Sequence, residues 1–282
     1  MPASTPAVRS ACPASRWASQ SKWTRSLPLS LLDRWRAPAP DPARVAWLGE
    51  WDYAHRGLHG PGLPENSPAA FAAAIGRGMG IECDVQRSYD GQAMVFHDAD
   101  LSRLTAEHGP VARRTAEELG RIVLSGGSDS IPTLRAVLDQ IGGKVPLLIE
   151  IKSPKDELRR VSTTCMAVRR VLEGYQGRHA VMSFDPRIVR WFADHSPLTL
   201  RGLVVTEENG KTLSGMIRRR LSLWHARPDF LAYDIRDLPS RFASAQRRRG
   251  LPVLTWTVRS AEHRERADEH ADAPIAEGAG LA

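Results

Sequence analysis

The sequence predicts an α/β protein whose strands close into a (β/α)8 TIM barrel. Short apolar runs typical of strands recur from residue 52 onward, at 52–55, 80–85, 93–97, 146–151, 179–184, 200–205, 229–233 and 252–257. Helical stretches lie between most of these runs, and repeated β-then-α units with short links indicate a parallel sheet. Eight such strands favour closure into a barrel.

The helical stretches carry start and stop signals of their own. Ser67 can cap a helix that Pro68 opens and Gly76 ends, and Gly142 stops a second helix that begins at Pro132. The remaining helices are predicted at 156–172, 186–194, 211–223, 239–249 and 260–270.

Two features depart from a regular alternation. No helix fits between the runs at 80–85 and 93–97, so a short loop around Asp90-Gly91 joins them. Residues 98–131 form a short insertion between the third and fourth predicted strands, over one end of the fold. A ninth run, at 273–275, is weak, and the sequence leaves its pairing open.

The charge is uneven along the 282 residues, whose formal net charge is +7. Residues 1–47 hold seven basic and two acidic residues and four of the eight tryptophans. We therefore predict a basic arm over 1–47 and a barrel domain over 48–282. Two interpretations of the arm stay open, namely packing on the outside of the barrel and peripheral contact with a membrane.

Composition also limits the cellular location and the partners that we expect for the protein. No run of about 18 apolar residues is present, as a membrane-spanning helix would need. The three cysteines are far apart and lack zinc-ligand spacing, which favours a reduced, cytoplasmic location. The sequence contains no nucleic-acid-binding motif, so we expect no nucleic-acid partner despite the basic segments.

The strand run at 80–85 carries the most specific chemical signal. Glu82 and Asp84 are two residues apart, so their side chains point to the same side of the strand. Two adjacent carboxylates repel each other and are costly to bury without positive charge between them. A divalent cation would supply that charge.

Other polar residues fall at the ends of neighbouring runs. His55 and His97 each end an apolar run, and Glu150 and Lys152 form a second alternating pair. In a barrel, functional side chains lie at the carboxyl ends of the strands, so we expect all of these residues in one site with the Glu82 strand.

Taken together, these residues make the chain resemble the glycerophosphodiester phosphodiesterase family, within the phospholipase-C-like phosphodiesterase superfamily. The matching segments are His55-Arg56-Gly57, Pro64-Glu65-Asn66-Ser67, Phe71, Ile81-Glu82, Asp84-Val85, Asp90-Gly91, His97-Asp98, Leu101, Arg103, Thr105, Ile149-Glu150-Ile151-Lys152, Ser183-Phe184 and Trp256-Thr257-Val258. The resemblance implies metal-dependent hydrolysis of glycerophosphodiesters to glycerol 3-phosphate and an alcohol. It also implies that Glu82, Asp84 and Glu150 hold the metal and that His55 and His97 act as acid and base.

The residue types agree with that chemistry. Three carboxylates suit Mg²⁺ or Ca²⁺ better than zinc. Arg56 and Lys152 can bind the phosphate oxygens of the substrate. Glu65 either contacts the site or holds the loop after the first strand, and Trp256 either lines the substrate pocket or packs in the core. Which histidine is the acid, and whether water or a glycerol hydroxyl attacks first, stay open.

The resemblance has limits. The family often ends with a Gly-x-Asp-x-x-x-Thr-Asp stretch that the tail at 271–280 does not match, and His59, in a Gly/Pro-rich loop, is expected at the surface. An alternative function is a lysophospholipase-D-like or other lipid phosphodiesterase, with the basic arm as its membrane contact.

Overall fold

The structure, a computed structural model, describes residues 38–153, 158–208 and 212–281. Its strands are β1 (Tyr53–Ala54), β2 (Gly80–Arg87), β3 (Ala93–Val95), β4 (Leu147–Ile151), β5 (His179–Ser183), β6 (Leu200–Val205), β7 (Phe230–Asp234), β8 (Val253–Val258) and β9 (Ala273–Ala276). All of them except β3 pair in parallel and close on themselves, because β1 pairs with both β2 and β9. The predicted (β/α)8 barrel is confirmed.

The assignment of strands to the barrel differs from the prediction in one place. The run predicted as the third barrel strand is β3, which pairs antiparallel with β2 outside the closed ring, with Val95 opposite Val85. The short loop at Asp90-Gly91 permits only this arrangement, because a parallel pair needs a long crossover. The weak run at 273–275 is instead β9, the eighth barrel strand, between β8 and β1.

The helices surround the barrel. They are α1 (Pro42–Val45), α2 (Pro68–Gly76), α3 (Ala116–Leu119), α4 (Leu134–Ile141), α5 (Leu158–Leu172), α6 (Pro186–His195), α7 (Leu213–Ala226), α8 (Arg241–Arg247) and α9 (Ala261–His270). The predicted Ser67 cap is present, with its hydroxyl accepting from the Ala70 N–H at 3.1 Å. Gly142 ends α4 in the left-handed conformation, at a φ of 53°. No helix in these ranges is both long and apolar enough to cross a bilayer.

Alternation along the strands divides the core into two layers. Leu148 and Phe230 point into the barrel, whereas Ile81 and Ile149 point outward against the helices. Gly202 in β6 is required by the inner layer, because a Cβ there would lie 2.3 Å from the Phe230 ring.

The amino-terminal end of the barrel is sealed by α1 and a 3-10 turn over Ala46–Glu50. Val45 and Leu48 are buried in the same cluster as Tyr53, whose hydroxyl donates to the Leu48 carbonyl at 3.2 Å. Residues 42–47 therefore pack with the barrel core, although the predicted arm extends to residue 47. Residues 1–37 of the predicted arm, with their proposed membrane contact, lie outside the described residues.

The predicted insertion at 98–131 is present between β3 and α4. It contains α3 and two single 3-10 turns. Its apolar side chains form a small core of their own with β3 and the residue after it, made of Met94, Phe96, Leu101, Val111, Leu119, Leu124 and Ile131.

Candidate active site

Three buried carboxylates meet at the carboxyl end of the barrel. Glu82 and Asp84 point inward from β2, and the parallel register places Asp84 opposite Glu150 of β4. One oxygen from each of the three carboxylates lies within 4.8 Å of the others. The structure thus brings the three predicted metal ligands together, and the period-two geometry of β2 is the reason.

Two cations contact the carboxylates. The Lys152 ammonium lies 2.7 Å from Asp84 Oδ1 and 2.5 Å from Glu150 Oε1. The Arg56 Nε lies 3.2 Å from Asp84 Oδ2, and the Arg56 backbone N–H donates to Glu82 at 3.0 Å. Burial raises the pKa of Glu150, and burial with the neighbouring carboxylates raises that of Glu82. Burial would also raise the pKa of Asp84, but Lys152 and Arg56 outweigh it and hold that pKa below its ordinary value.

The donor set fits a divalent metal. Glu82, Asp84 and Glu150 offer only carboxylate oxygens, which Mg²⁺ and Ca²⁺ prefer. Two side-chain cations leave one of the three carboxylates without a counter-charge, and an uncompensated buried charge is costly. An added divalent cation would remove that cost.

The loop after β1 holds the Arg56 guanidinium in place. Arg56 and Asn66 both adopt left-handed conformations, with φ of 55° and 57°. The Asn66 side chain donates to Asp84 Oδ2 at 2.9 Å and accepts from the Asp84 N–H at 3.2 Å. Glu65 Oε1 accepts from Arg56 and from Arg103, each at 2.7 Å. Of the two roles considered for Glu65, these contacts favour holding the loop and the Arg56 guanidinium.

His55 follows β1 and is oriented by a carboxylate from the end of the chain. Its Nδ1 lies 2.5 Å from Glu277 Oε2, just beyond β9. Glu277 also contacts His59 Nε2 at 3.3 Å and accepts from Arg259 Nε at 2.5 Å. Burial lowers the pKa of His55 despite its hydrogen bond to Glu277. Burial would raise the pKa of Glu277, but its hydrogen bonds from His55, His59 and Arg259 hold it well below the ordinary value.

His97 reaches the site from the β2–β3 hairpin rather than from a barrel strand. The backbone N–H of its neighbour Phe96 donates to the Asp84 carbonyl at 3.0 Å, which places His97 beside the acid cluster. Its Nδ1 lies 2.6 Å from Asp98 Oδ1, and Arg103 binds the other oxygen of Asp98. Burial lowers the pKa of His97. His55 and His97 therefore each have a carboxylate on Nδ1, so Nε2 is the nitrogen with which either ring could transfer a proton.

Of the two roles considered for Trp256, its contacts show packing in the core, and its place in the substrate pocket stays a prediction. Its Nε1 donates to the Ala232 carbonyl at 2.9 Å, and its ring packs on the inner core. The ring also meets Phe184 edge to face, with centroids 5.4 Å apart. Because Phe184 is 46% exposed, this pair forms an aromatic edge at the mouth of the site.

The sequence reasoning missed Glu277 and misplaced His59, which is half-buried against Glu277 rather than at the surface. A signal was available for Glu277. Asp272 and Glu277 have the same five-residue separation as the two aspartates of the Gly-x-Asp-x-x-x-Thr-Asp pattern. The tail does not match that pattern in full, because His270, Ala276 and Glu277 stand where the pattern has Gly, Thr and Asp.

Comparison with known proteins points to one family. The model of the glycerophosphoryl diester phosphodiesterase family matches residues 55–275. The Bacillus subtilis protein YhdW is 30% identical over 214 residues, which cover 73% of this chain and 84% of YhdW. A glycerophosphodiester phosphodiesterase of Bacillus altitudinis is 36% identical over 131 residues, covering 44% of this chain and 53% of that protein.

Solved structures of similar fold include two phosphodiesterases. An Oleispira antarctica phosphodiesterase in complex with the product sn-glycerol-3-phosphate has a TM-score of 0.70 and 24% identity, covering 80% of this chain and 92% of that one. A Thermotoga maritima glycerophosphodiester phosphodiesterase has a TM-score of 0.63 and 25% identity, covering 79% of this chain and 92% of that one.

Proposed function

We propose, because this chain belongs to the glycerophosphoryl diester phosphodiesterase family, that it hydrolyses glycerophosphodiesters to glycerol 3-phosphate and an alcohol. One observation carries the proposal beyond family membership. The buried cluster of Glu82, Asp84 and Glu150 lies at the carboxyl end of the barrel with His55 and His97 beside it. That set of groups can bind a metal, neutralise a phosphodiester and move two protons.

Glu82, Asp84 and Glu150 would hold the divalent cation, which we propose is Mg²⁺ or Ca²⁺. Such an ion, when bound, neutralises the phosphodiester charge and polarises its P–O bonds. Arg56 and Lys152 lie against the same carboxylates, so their N–H groups can bind the remaining phosphate oxygens. Both are already oriented by carboxylates, which limits the conformational entropy lost when the substrate binds.

His55 and His97 would act as the general base and the general acid of the reaction. One removes a proton from the attacking hydroxyl or water, and the other protonates the leaving alkoxide. Glu277 and Asp98 accept from the two Nδ1 atoms, and this fixes the tautomer that presents Nε2 to the substrate. Because burial lowers the pKa of both imidazoles, the neutral form needed by a base is available near neutral pH.

The test is turnover of several glycerophosphodiesters by metal-reconstituted protein, with glycerol 3-phosphate release coupled to its dehydrogenase. Activity should vanish on exhaustive EDTA treatment and return with Mg²⁺ or Ca²⁺. The variant Glu82→Gln, which keeps the side-chain size but removes a charged ligand, should stay inactive in either metal. Full activity after EDTA treatment would refute the metal role.

The cytoplasmic location inferred from the cysteines remains a prediction. Its test is cell fractionation of the native protein, and recovery in the culture medium or in another exported fraction would contradict it.

A further inference from the structure

Helix α7 turns an apolar face to solvent. Leu213, Ile217 and Leu221 follow the i, i+4, i+8 spacing that puts side chains on one face of a helix. Their exposed fractions are 70%, 49% and 52%, and the adjacent Met216 is 40% exposed. We call these four side chains the α7 stripe.

The barrel-facing side of the same helix is occupied by other residues. Gly215, Leu223 and Ala226 are buried there. A surface helix ordinarily places polar residues opposite its buried face, and α7 places aliphatic residues there instead. A contiguous exposed apolar face of this kind marks an interaction surface.

Positive charge lies beside the α7 stripe. Arg218 and Arg220 are exposed and have no ion-pair partner within the described part of the chain. Arg219, between these two residues, points toward the barrel. Its Nη2 lies 3.4 Å from Glu207 Oε2, and its guanidinium lies over the Phe242 ring. Arg220 lies among the aliphatic side chains, four residues after Met216, and Arg218 lies beside Leu221, so the outward side of α7 is both aliphatic and cationic.

The α7 stripe begins near the mouth of the active site. Helix α7 follows β6, so Leu213 lies toward the carboxyl end of the barrel. Phe184, which is 46% exposed, follows the neighbouring strand β5 at that same end. A planar partner contacting the first turns of α7 would therefore also meet the rim of the site.

We infer that the α7 stripe is a docking surface for an anionic lipid bilayer. The aliphatic side chains of the α7 stripe would enter the boundary between headgroups and acyl chains, and Arg218 and Arg220 would bind the lipid phosphates. Charge argues against two other occupants. A second copy would bring Arg218 and Arg220 of both chains together, and residues 1–37, with six basic and one acidic residue, would add more positive charge.

The test is co-sedimentation of the full-length chain with phosphatidylcholine vesicles that contain or lack phosphatidylglycerol. The triple variant Leu213→Ser, Ile217→Ser, Leu221→Ser should bind the anionic vesicles at least about 10-fold more weakly, because it loses buried apolar area. The double variant Arg218→Gln, Arg220→Gln should lose about 5-fold per arginine on anionic vesicles and change little on neutral ones.

Leu198→Ser is the matched control. Leu198 is 91% exposed but precedes β6, at the opposite end of the barrel, so its loss should leave vesicle binding unchanged. All variants should keep wild-type turnover of a soluble diester, which separates this inference from the proposed function. Three results would overturn it: no binding by the wild type, unchanged binding by the triple variant, or light scattering that shows the stripe holding a dimer together without lipid binding.

Discussion

At the scale of single residues, the carboxylates behind the two imidazoles decide how the site works. Glu277 approaches His55 from the strand that closes the barrel, and Asp98 approaches His97 from its own hairpin. A carboxylate on Nδ1 fixes the ring orientation and stabilises the imidazolium that forms when Nε2 accepts a proton. In the proposed mechanism, these two contacts would therefore control proton transfer without touching the substrate.

Removing either imidazole should lower kcat by about 10²- to 10⁴-fold, the usual size of a lost acid–base group. The measurement is turnover by His55→Ala and His97→Ala, with the exposed His108→Ala as control. A substrate with a p-nitrophenol leaving group should rescue the variant that lacks the general acid and not the one that lacks the base. Loss of metal binding by His97→Ala would instead make His97 a ligand.

Glu277→Gln should lower kcat by up to roughly 10²-fold with little change in KM, because only the orientation and basicity of His55 are affected. Arg259→Gln is the matched control, since Arg259 contacts the other oxygen of Glu277 and not His55. Equal kinetics for Glu277→Gln and wild type would show that His55 needs no positioning carboxylate.

At the scale of elements, two strands build the acid cluster and a hairpin completes it. β2 supplies Glu82 and Asp84, and its parallel neighbour β4 supplies Glu150 in register. β3 turns back along β2 and carries His97 to the same end. The inner face of the remaining strands is filled by packed side chains, and β6 offers a clear test of that packing.

Gly202→Ala should destabilise the protein by about 1–3 kcal/mol, the cost of overpacking a filled core. A Cβ at Gly202 would lie 2.3 Å from the Phe230 ring, and neither side of the barrel wall can move freely. Denaturant unfolding measures the effect. Gly76→Ala, in the exposed last position of α2 with no atom within 4 Å of the added Cβ, should instead be neutral or slightly stabilising.

At the scale of the whole molecule, the buried carboxylates would couple folding to binding of the proposed metal. The cluster exists only when β2 and β4 pair, so an ion held there binds the folded chain and not the unfolded one. Binding to the folded state alone contributes about 2.7 kcal/mol at a free ligand concentration of 100 times Kd.

Mg²⁺ or Ca²⁺ should accordingly raise the Tm of EDTA-treated protein, as measured by differential scanning fluorimetry. Asp84→Asn should remove most of that increase, whereas Asp139→Asn, on the exposed side of α4, should keep it. An increase of the same size in Asp84→Asn would place the stabilising ion elsewhere.

Truncation tests where the folded unit begins. Removal of residues 1–37 should preserve turnover of a soluble diester. Removal through residue 50 should cost about 3 kcal/mol or more, because it takes the buried Val45 and Leu48 from the amino-terminal seal. If the protein that lacks residues 1–37 failed to fold, part of that segment would be needed for the stability of the barrel.

The sequence by itself determined the barrel class and the inward convergence of Glu82 and Asp84. Both depend on local periodicity, which alternates side chains across a strand whatever the strand pairs with. The strand-end positions also predicted Glu150, His55 and His97 in the same site, and the family resemblance added their roles as metal ligand, acid and base. Only the tertiary structure decided that the run at 93–97 leaves the ring, that β9 closes it and that Glu277 reaches His55 across 222 positions of sequence. These are contacts between distant segments, and no local pattern specifies which strands become neighbours.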